Sequence, residues 1–160
     1  MCIRDRFLLA DAYGNVFSYS VNTSTGDLSE TTDVPGSHGT GFGITANPTG
    51  TFLYTDDELA DGIDAFSISS NGGLTAVSGS PFSMPLGWTP SEVDSLAVDP
   101  AGKFLYAPDG ASNTVVGFTI DSTTGALSTI PGSPFAAGPG PSQVVVDPSD
   151  RFVYVSDCDT

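Results

Sequence analysis

Asp99-Pro100-Ala101-Gly102-Lys103-Phe104-Leu105-Tyr106 is the stretch that decides the fold of this chain. A leading Asp can accept from the turn backbone, Pro presets φ at the second position and Gly suits the fourth, so the first four residues read as a type I turn. The apolar run behind it reads as a strand. The same unit returns as Asn47-Pro48-Thr49-Gly50-Thr51-Phe52-Leu53-Tyr54 and as Asp147-Pro148-Ser149-Asp150-Arg151-Phe152-Val153-Tyr154. A copy without its turn begins at Phe7-Leu8-Leu9. Repeats of about 40–50 residues made of short strands are the mark of propeller blades.

Outward from these units, the rest of each repeat falls into register. Residues 16–21 alternate Phe17, Tyr19 and Val21 with Ser18 and Ser20, the period of a half-buried strand. Phe66 and Ile68 stand at the positions of Tyr19 and Val21 one repeat later, and Phe118 and Ile120 one repeat after that. Turns follow at Asn22-Thr23-Ser24-Thr25-Gly26-Asp27, at Ser70-Asn71-Gly72-Gly73 and at Asp121-Ser122-Thr123-Thr124-Gly125-Ala126. Gly79-Ser80-Pro81-Phe82 and Gly132-Ser133-Pro134-Phe135 close two of the repeats. The expected fold is all-β: four-stranded antiparallel blades in a partial propeller that forms an open arc, with no helix needed. Its expected divisions are a partial blade over 7–34, blades over 43–79 and 92–131, and a partial blade over 142–157. The repeated aromatic and branched positions are expected to be core, because blade faces are buried only by stacking on neighbours.

Residues 1–6, Met1-Cys2-Ile3-Arg4-Asp5-Arg6, lack the apolar core of a signal peptide. They resemble the translation of a transposon end used in sequencing-library preparation, so they are expected to be a non-native artefact ahead of a propeller portion spanning 7–160. Without them, Lys103 and Arg151 are the remaining cations.

Nineteen acidic residues stand against four basic ones, a formal net charge of −15. Such a balance favours a solvated surface and argues against nucleic acid or anionic lipid held through phosphate contacts. No apolar run is long enough to cross a bilayer as a helix. Cys2 and Cys158 have neither metal-ligand spacing nor the number for a disulfide framework.

The units Asp-Pro-x-Gly-x-Phe-Leu-Tyr, Phe-x-Ile, Thr-Gly-x-Leu and Gly-Ser-Pro-Phe resemble the lactonase-type seven-bladed propellers, the group that includes bacterial propeller 6-phosphogluconolactonase and fungal muconate-lactonising enzyme. The likeness runs from Phe7 to Asp157 and covers about three blades of seven. It implies that the first strand of each blade lines a central channel. It also implies that interblade loops and the loops between second and third strands form the ligand-binding rim, with the Asp-Pro and Thr-Gly turns on the opposite rim.

Two interblade loops carry the candidate site residues. The connection from Phe82 to Asp99 is longer than that from Phe135 to Asp147 and holds the single Trp. Irregularity in a regular repeat is where function is grafted. Trp88 and Asp94 are therefore candidate substrate-binding residues, and Glu92, at the start of an inner strand, a candidate base. His38 is the single histidine and lies in the preceding interblade loop, where a general base could sit. Asp56, Asp57, Glu58, Asp61 and Asp64 form the densest acidic group, but an EF-hand register fails at Leu59 and Ile68. No Gly-x-Ser-x-Gly elbow, phosphate-cradling loop or zinc spacing occurs, so neither a metal nor a cofactor is expected. Two functions remain. One is hydrolysis of a sugar-type lactone, as the resemblance implies. The other is a non-catalytic extracytoplasmic (periplasmic or secreted) propeller serving as a binding or scaffold module. The expected partners are a sugar-like small molecule and the further blades of the same protein.

Overall fold

The first side chain of each Asx-Pro turn closes it. Asn47 Oδ1 accepts from the N–H groups of Thr51 (2.9 Å) and Phe52 (3.0 Å). Asp99 Oδ1 does the same for Lys103 and Phe104 at 2.6 and 2.8 Å, and Asp147 Oδ1 for Arg151 and Phe152 at 2.9 and 2.7 Å. The fourth turn residue has a left-handed backbone each time, with φ of 64° at Gly50, 69° at Gly102 and 60° at Asp150. Gly tolerates that region and Asp does so at a cost. The Asp147 carboxyl is held down to about 2, chiefly by the hydrogen bond from the Ser149 hydroxyl.

A computed structural model describes residues 7–12, 15–35, 43–57, 59–84 and 95–157. Within them the chain is all-β, in four antiparallel sheets and without a helix. The first sheet joins β1 (Phe7–Ala12), β2 (Asn15–Val21) and β3 (Leu28–Pro35). The second runs β4 (Ile44–Ala46), β5 (Phe52–Asp57), β6 (Gly62–Ile68) and β7 (Leu74–Ala76), with β8 (Phe82–Ser83) also on β6. In the third, β9 (Ala97–Val98), β10 (Phe104–Asp109), β11 (Thr114–Ile120) and β12 (Leu127–Thr129) lie in order, with β13 (Phe135–Ala136) on β11. The fourth pairs β14 (Pro141–Val146) with β15 (Val153–Asp157).

The outer strand of each complete blade therefore comes in two pieces, not one. The Gly-Ser-Pro-Phe unit makes the break and repairs it. Gly79 and Gly132 turn the chain with φ of 92° and 89°. The interruption removes a backbone acceptor from the third strand, and the serine hydroxyl replaces it: Ser80 Oγ accepts from the Ala65 N–H and Ser133 Oγ from the Gly117 N–H, both at 2.9 Å. Buried backbone donors need such partners.

Two cores lie between blades. Val16, Ala46, Leu53 and Phe66 fill the space between the first and second. A larger one between the second and third contains Phe52, Tyr54, Ile63, Leu105, Val116, Phe118, Ile120 and Leu127. One face of each blade thus meets its predecessor and the other its successor. In β2 it is the small-residue face, with Val16 and Ser18 fully buried, that packs inward, while Phe17, Tyr19 and Val21 are half-buried.

Tyr54 shows how blades lock. Its ring is fully buried and its hydroxyl donates to the Gly125 carbonyl at 3.1 Å, in the Thr-Gly turn of the next blade. Burial pushes the Tyr54 phenol well above its ordinary value. A raised phenol pKa contributes stability below the unfolded value near 10 and loses it as pH rises beyond that value. Tyr54→Phe should therefore lower stability at neutral pH, by about 1 kcal/mol for the lost hydrogen bond. The same substitution should flatten the decline between pH 9 and about 11. Urea titrations at several pH values measure both, and parallel pH profiles for the two proteins would contradict the assignment.

Candidate functional site

Strand direction divides the blades into two rims. Inner strands β4, β9 and β14 run toward the Asx-Pro turns, and the second strands return to the opposite rim at Asp57, Asp109 and Asp157. That second rim carries the interblade connections and the hairpins between second and third strands. Lys103 and Arg151 sit at the Asx-Pro turns, on the other rim. Arg151 stacks 5.3 Å over the Phe152 ring, and its Nε donates to Ser149 Oγ at 3.0 Å.

His38, Trp88, Glu92 and Asp94 lie outside the described residues, within segments 36–42 and 85–94. The structure does show where those segments are anchored. Gly43 follows the first and Ser95 the second, and a Cβ on Gly43 would stand 3.1 Å from the Ser95 carbonyl carbon and the Leu96 nitrogen. The two anchors are in backbone contact. Ser95 Oγ in turn accepts from the Val144 N–H at 2.8 Å, tying the third inner strand to the fourth. Three successive inner strands thus converge at the loop rim.

The acidic group is used differently from a metal site. Asp56 is buried, and its Oδ1 accepts from the Gly43 N–H at 2.7 Å, pinning the anchor of segment 36–42. Asp57 Oδ1 accepts from Leu59 N–H (2.9 Å) and Ala60 N–H (3.0 Å), closing the hairpin between β5 and β6. Asp109 repeats this with Ser112 N–H at 3.2 Å. Asp64 Oδ1 accepts from the Ser80 hydroxyl at 3.0 Å. These carboxylates order the backbone of the rim. Asp157 stands at the equivalent place in the fourth blade, its carboxylate lodged where a Cβ on Gly138 would have to go.

Sequence reasoning grouped these aspartates by density and so missed their role. The usable signal was their offset: Asp57, Asp109 and Asp157 each follow the repeat phenylalanine by the same interval. Asn113 was missed as well. Its backbone is left-handed (φ 56°), its carbonyl accepts from Ala137 N–H at 2.9 Å, and its Oδ1 accepts from Gly140 N–H at 2.9 Å. It holds the hairpin and the following interblade loop together.

Comparison with known proteins fits this geometry. A 6-phosphogluconolactonase of Serratia proteamaculans is 29% identical over 135 residues, 81% of this chain and 38% of that protein. The chain therefore spans well under half the length of that relative. The crystal structure of a protein from Lactobacillus plantarum superposes with a TM-score of 0.79 at 21% identity, over 100% of this chain and 47% of the other. A periplasmic gluconolactonase of Pseudomonas aeruginosa superposes with a TM-score of 0.72 at 20% identity, over 95% of this chain and 44% of the other. The profile of the family described as lactonase, 7-bladed beta-propeller, matches residues 4–160. With the repeat, the blade sheets and the converging inner strands, that match makes the chain a member of the seven-bladed β-propeller lactonase family.

Proposed function

We propose that this chain supplies part of the active rim of a propeller that hydrolyses a sugar-type lactone carrying no phosphate. The observation that supports this most directly is the backbone contact between Gly43 and Ser95, since it anchors the His38 segment and the Trp88–Asp94 segment side by side on the loop rim. In this reading Glu92 and His38 share the work of a general base, drawing a proton from the water that attacks the lactone carbonyl. Trp88 stacks on the sugar ring, and Asp94 accepts from ring hydroxyls. The bond that breaks is the ring ester C–O, and the proton taken from water returns to the departing alkoxide.

The absence of phosphate follows from charge. Lys103 and Arg151 stand on the opposite rim, while the described residues of the loop rim carry Asp56, Asp57, Asp64, Asp109 and Asp157. A phosphorylated ligand calls for Arg or Lys at its binding site.

In the full-length propeller, Glu92→Gln should lower hydrolysis of glucono-δ-lactone, followed by pH-stat, by about 100-fold or more. His38→Ala should also lower it, and Lys103→Ala should leave it unchanged. Full activity in the Glu92→Gln, His38→Ala double variant would remove both residues from the mechanism.

A further inference from the structure

The two ends of the arc present complementary halves of one interface. Inside the molecule, the second and third blades meet through a turn seated on two rings. The Thr-Gly turn at 121–126 places Gly125 against the Phe52 ring, where a Cβ would collide with it, and the Gly125 carbonyl accepts from the Tyr54 hydroxyl at 3.1 Å. Leu127, just beyond the turn, is buried in the same core.

The tail of the arc repeats the ring half. Phe152 and Tyr154 occupy the positions of Phe52 and Tyr54, yet they are 53% and 56% exposed. Their rings lie 6.3 Å apart, and Val145, paired with Tyr154, is 57% exposed. The head repeats the turn half. Gly26 N–H bonds to the Asn22 carbonyl at 2.7 Å, as Gly125 N–H does to Asp121 at 2.8 Å. Asn22 Oδ1 caps Ser24 N–H as Asp121 Oδ1 caps Thr123 N–H. The φ values, 81° at Gly26 and 78° at Gly125, match. No described residue lies within 4 Å of a Cβ placed on Gly26, and Leu28, the counterpart of Leu127, is 49% exposed. Tyr19 and Val21 extend this half-buried face.

We propose that the 160-residue chain associates head to tail, the turn at 22–27 of one copy seating on Phe152 and Tyr154 of the next as 121–126 seats on Phe52 and Tyr54. Charge supports this pairing. Thr51 and Ala126 flank the internal contact, whereas Arg151 and Asp27 stand at those positions on the tail and the head. A contact between different patches of identical subunits is heterologous, so it propagates instead of stopping at a symmetric dimer. The strong negative charge opposes assembly at long range, so added salt should strengthen it.

Sedimentation velocity on three proteins tests this: the chain itself, Leu28→Asp (head blocked) and Tyr154→Asp (tail blocked). Both substituted side chains are exposed, so the fold survives, which circular dichroism verifies. The unsubstituted chain should sediment as oligomers, and each variant alone as a monomer. An equimolar mixture of the two variants should give one-to-one heterodimers and nothing larger, because one intact head meets one intact tail. A monomeric parent chain, a Leu28→Asp variant that still assembles alone (pairing through tails only), or a mixture that stays monomeric would each overturn the proposal.

Discussion

Replacing Gly125 by alanine should lower the thermal midpoint by roughly 10 °C. Two costs combine. A left-handed backbone (φ 78°) disfavours any residue with a Cβ by about 1 kcal/mol, and the Phe52 ring occupies the space that Cβ needs. Displacing a packed ring costs about 1–3 kcal/mol more, and each kcal/mol shifts the midpoint by about 2–4 °C at this chain length. Gly26→Ala isolates the first cost, because its φ is 81° and no described residue lies within 4 Å of the added methyl. Gly26→Ala should therefore lose only a few degrees. Thermal melts by circular dichroism compare the two, and equal losses would show that the Phe52 contact contributes nothing.

Tyr54→Ala and Tyr154→Ala should differ by about 3 kcal/mol or more in their effect on stability, although the two residues hold the same place in the repeat. Tyr54 is fully buried between the second and third blades, so removing its ring opens a cavity and leaves the Gly125 carbonyl without its donor. Large-to-small changes of this kind cost about 3–5 kcal/mol. Tyr154 is 56% exposed, and exposed sites usually change stability by less than about 0.5 kcal/mol. Urea unfolding at low protein concentration measures the difference. Similar losses in both variants would mean that Tyr154 is covered in the unassociated chain.

The pair also explains how evenly a propeller distributes its stability. A blade buries one face on its predecessor and one on its successor, so its residues gain their energy from contacts with other repeats. The Tyr54 hydroxyl and the Ser95 hydroxyl are the polar counterparts of this stacking, each crossing from one blade to the next. For the loop rim the consequence is functional. The anchors of segments 36–42 and 85–94 belong to different blades, and their contact depends on how those blades stack. A substitution in the core between the second and third blades should therefore reach the rim through Gly43 and Ser95 before it reaches any catalytic side chain.

The amino-acid sequence alone determined the local structure. The Asx-Pro-x-Gly turns follow from side-chain capping and a fixed proline φ, both interactions within five residues, and their spacing marked the blades, the strand alternation and the two rims. Other features needed the third dimension. Phe52, Phe104 and Phe152 are the same letter in the same motif, yet they are buried, half-buried and exposed, because burial depends on which blade lies alongside. The role of Ser80 and Ser133 was equally hidden, since each replaces an acceptor removed from a strand some fifteen residues away. Asp56 looked like part of a charged surface and instead pins Gly43 across the sheet. His38, Trp88, Glu92 and Asp94 were legible only as irregularities in a repeat. A side chain on a loop without periodicity is aimed by the elements that anchor it, and it took the tertiary structure to bring the anchors of two such loops together.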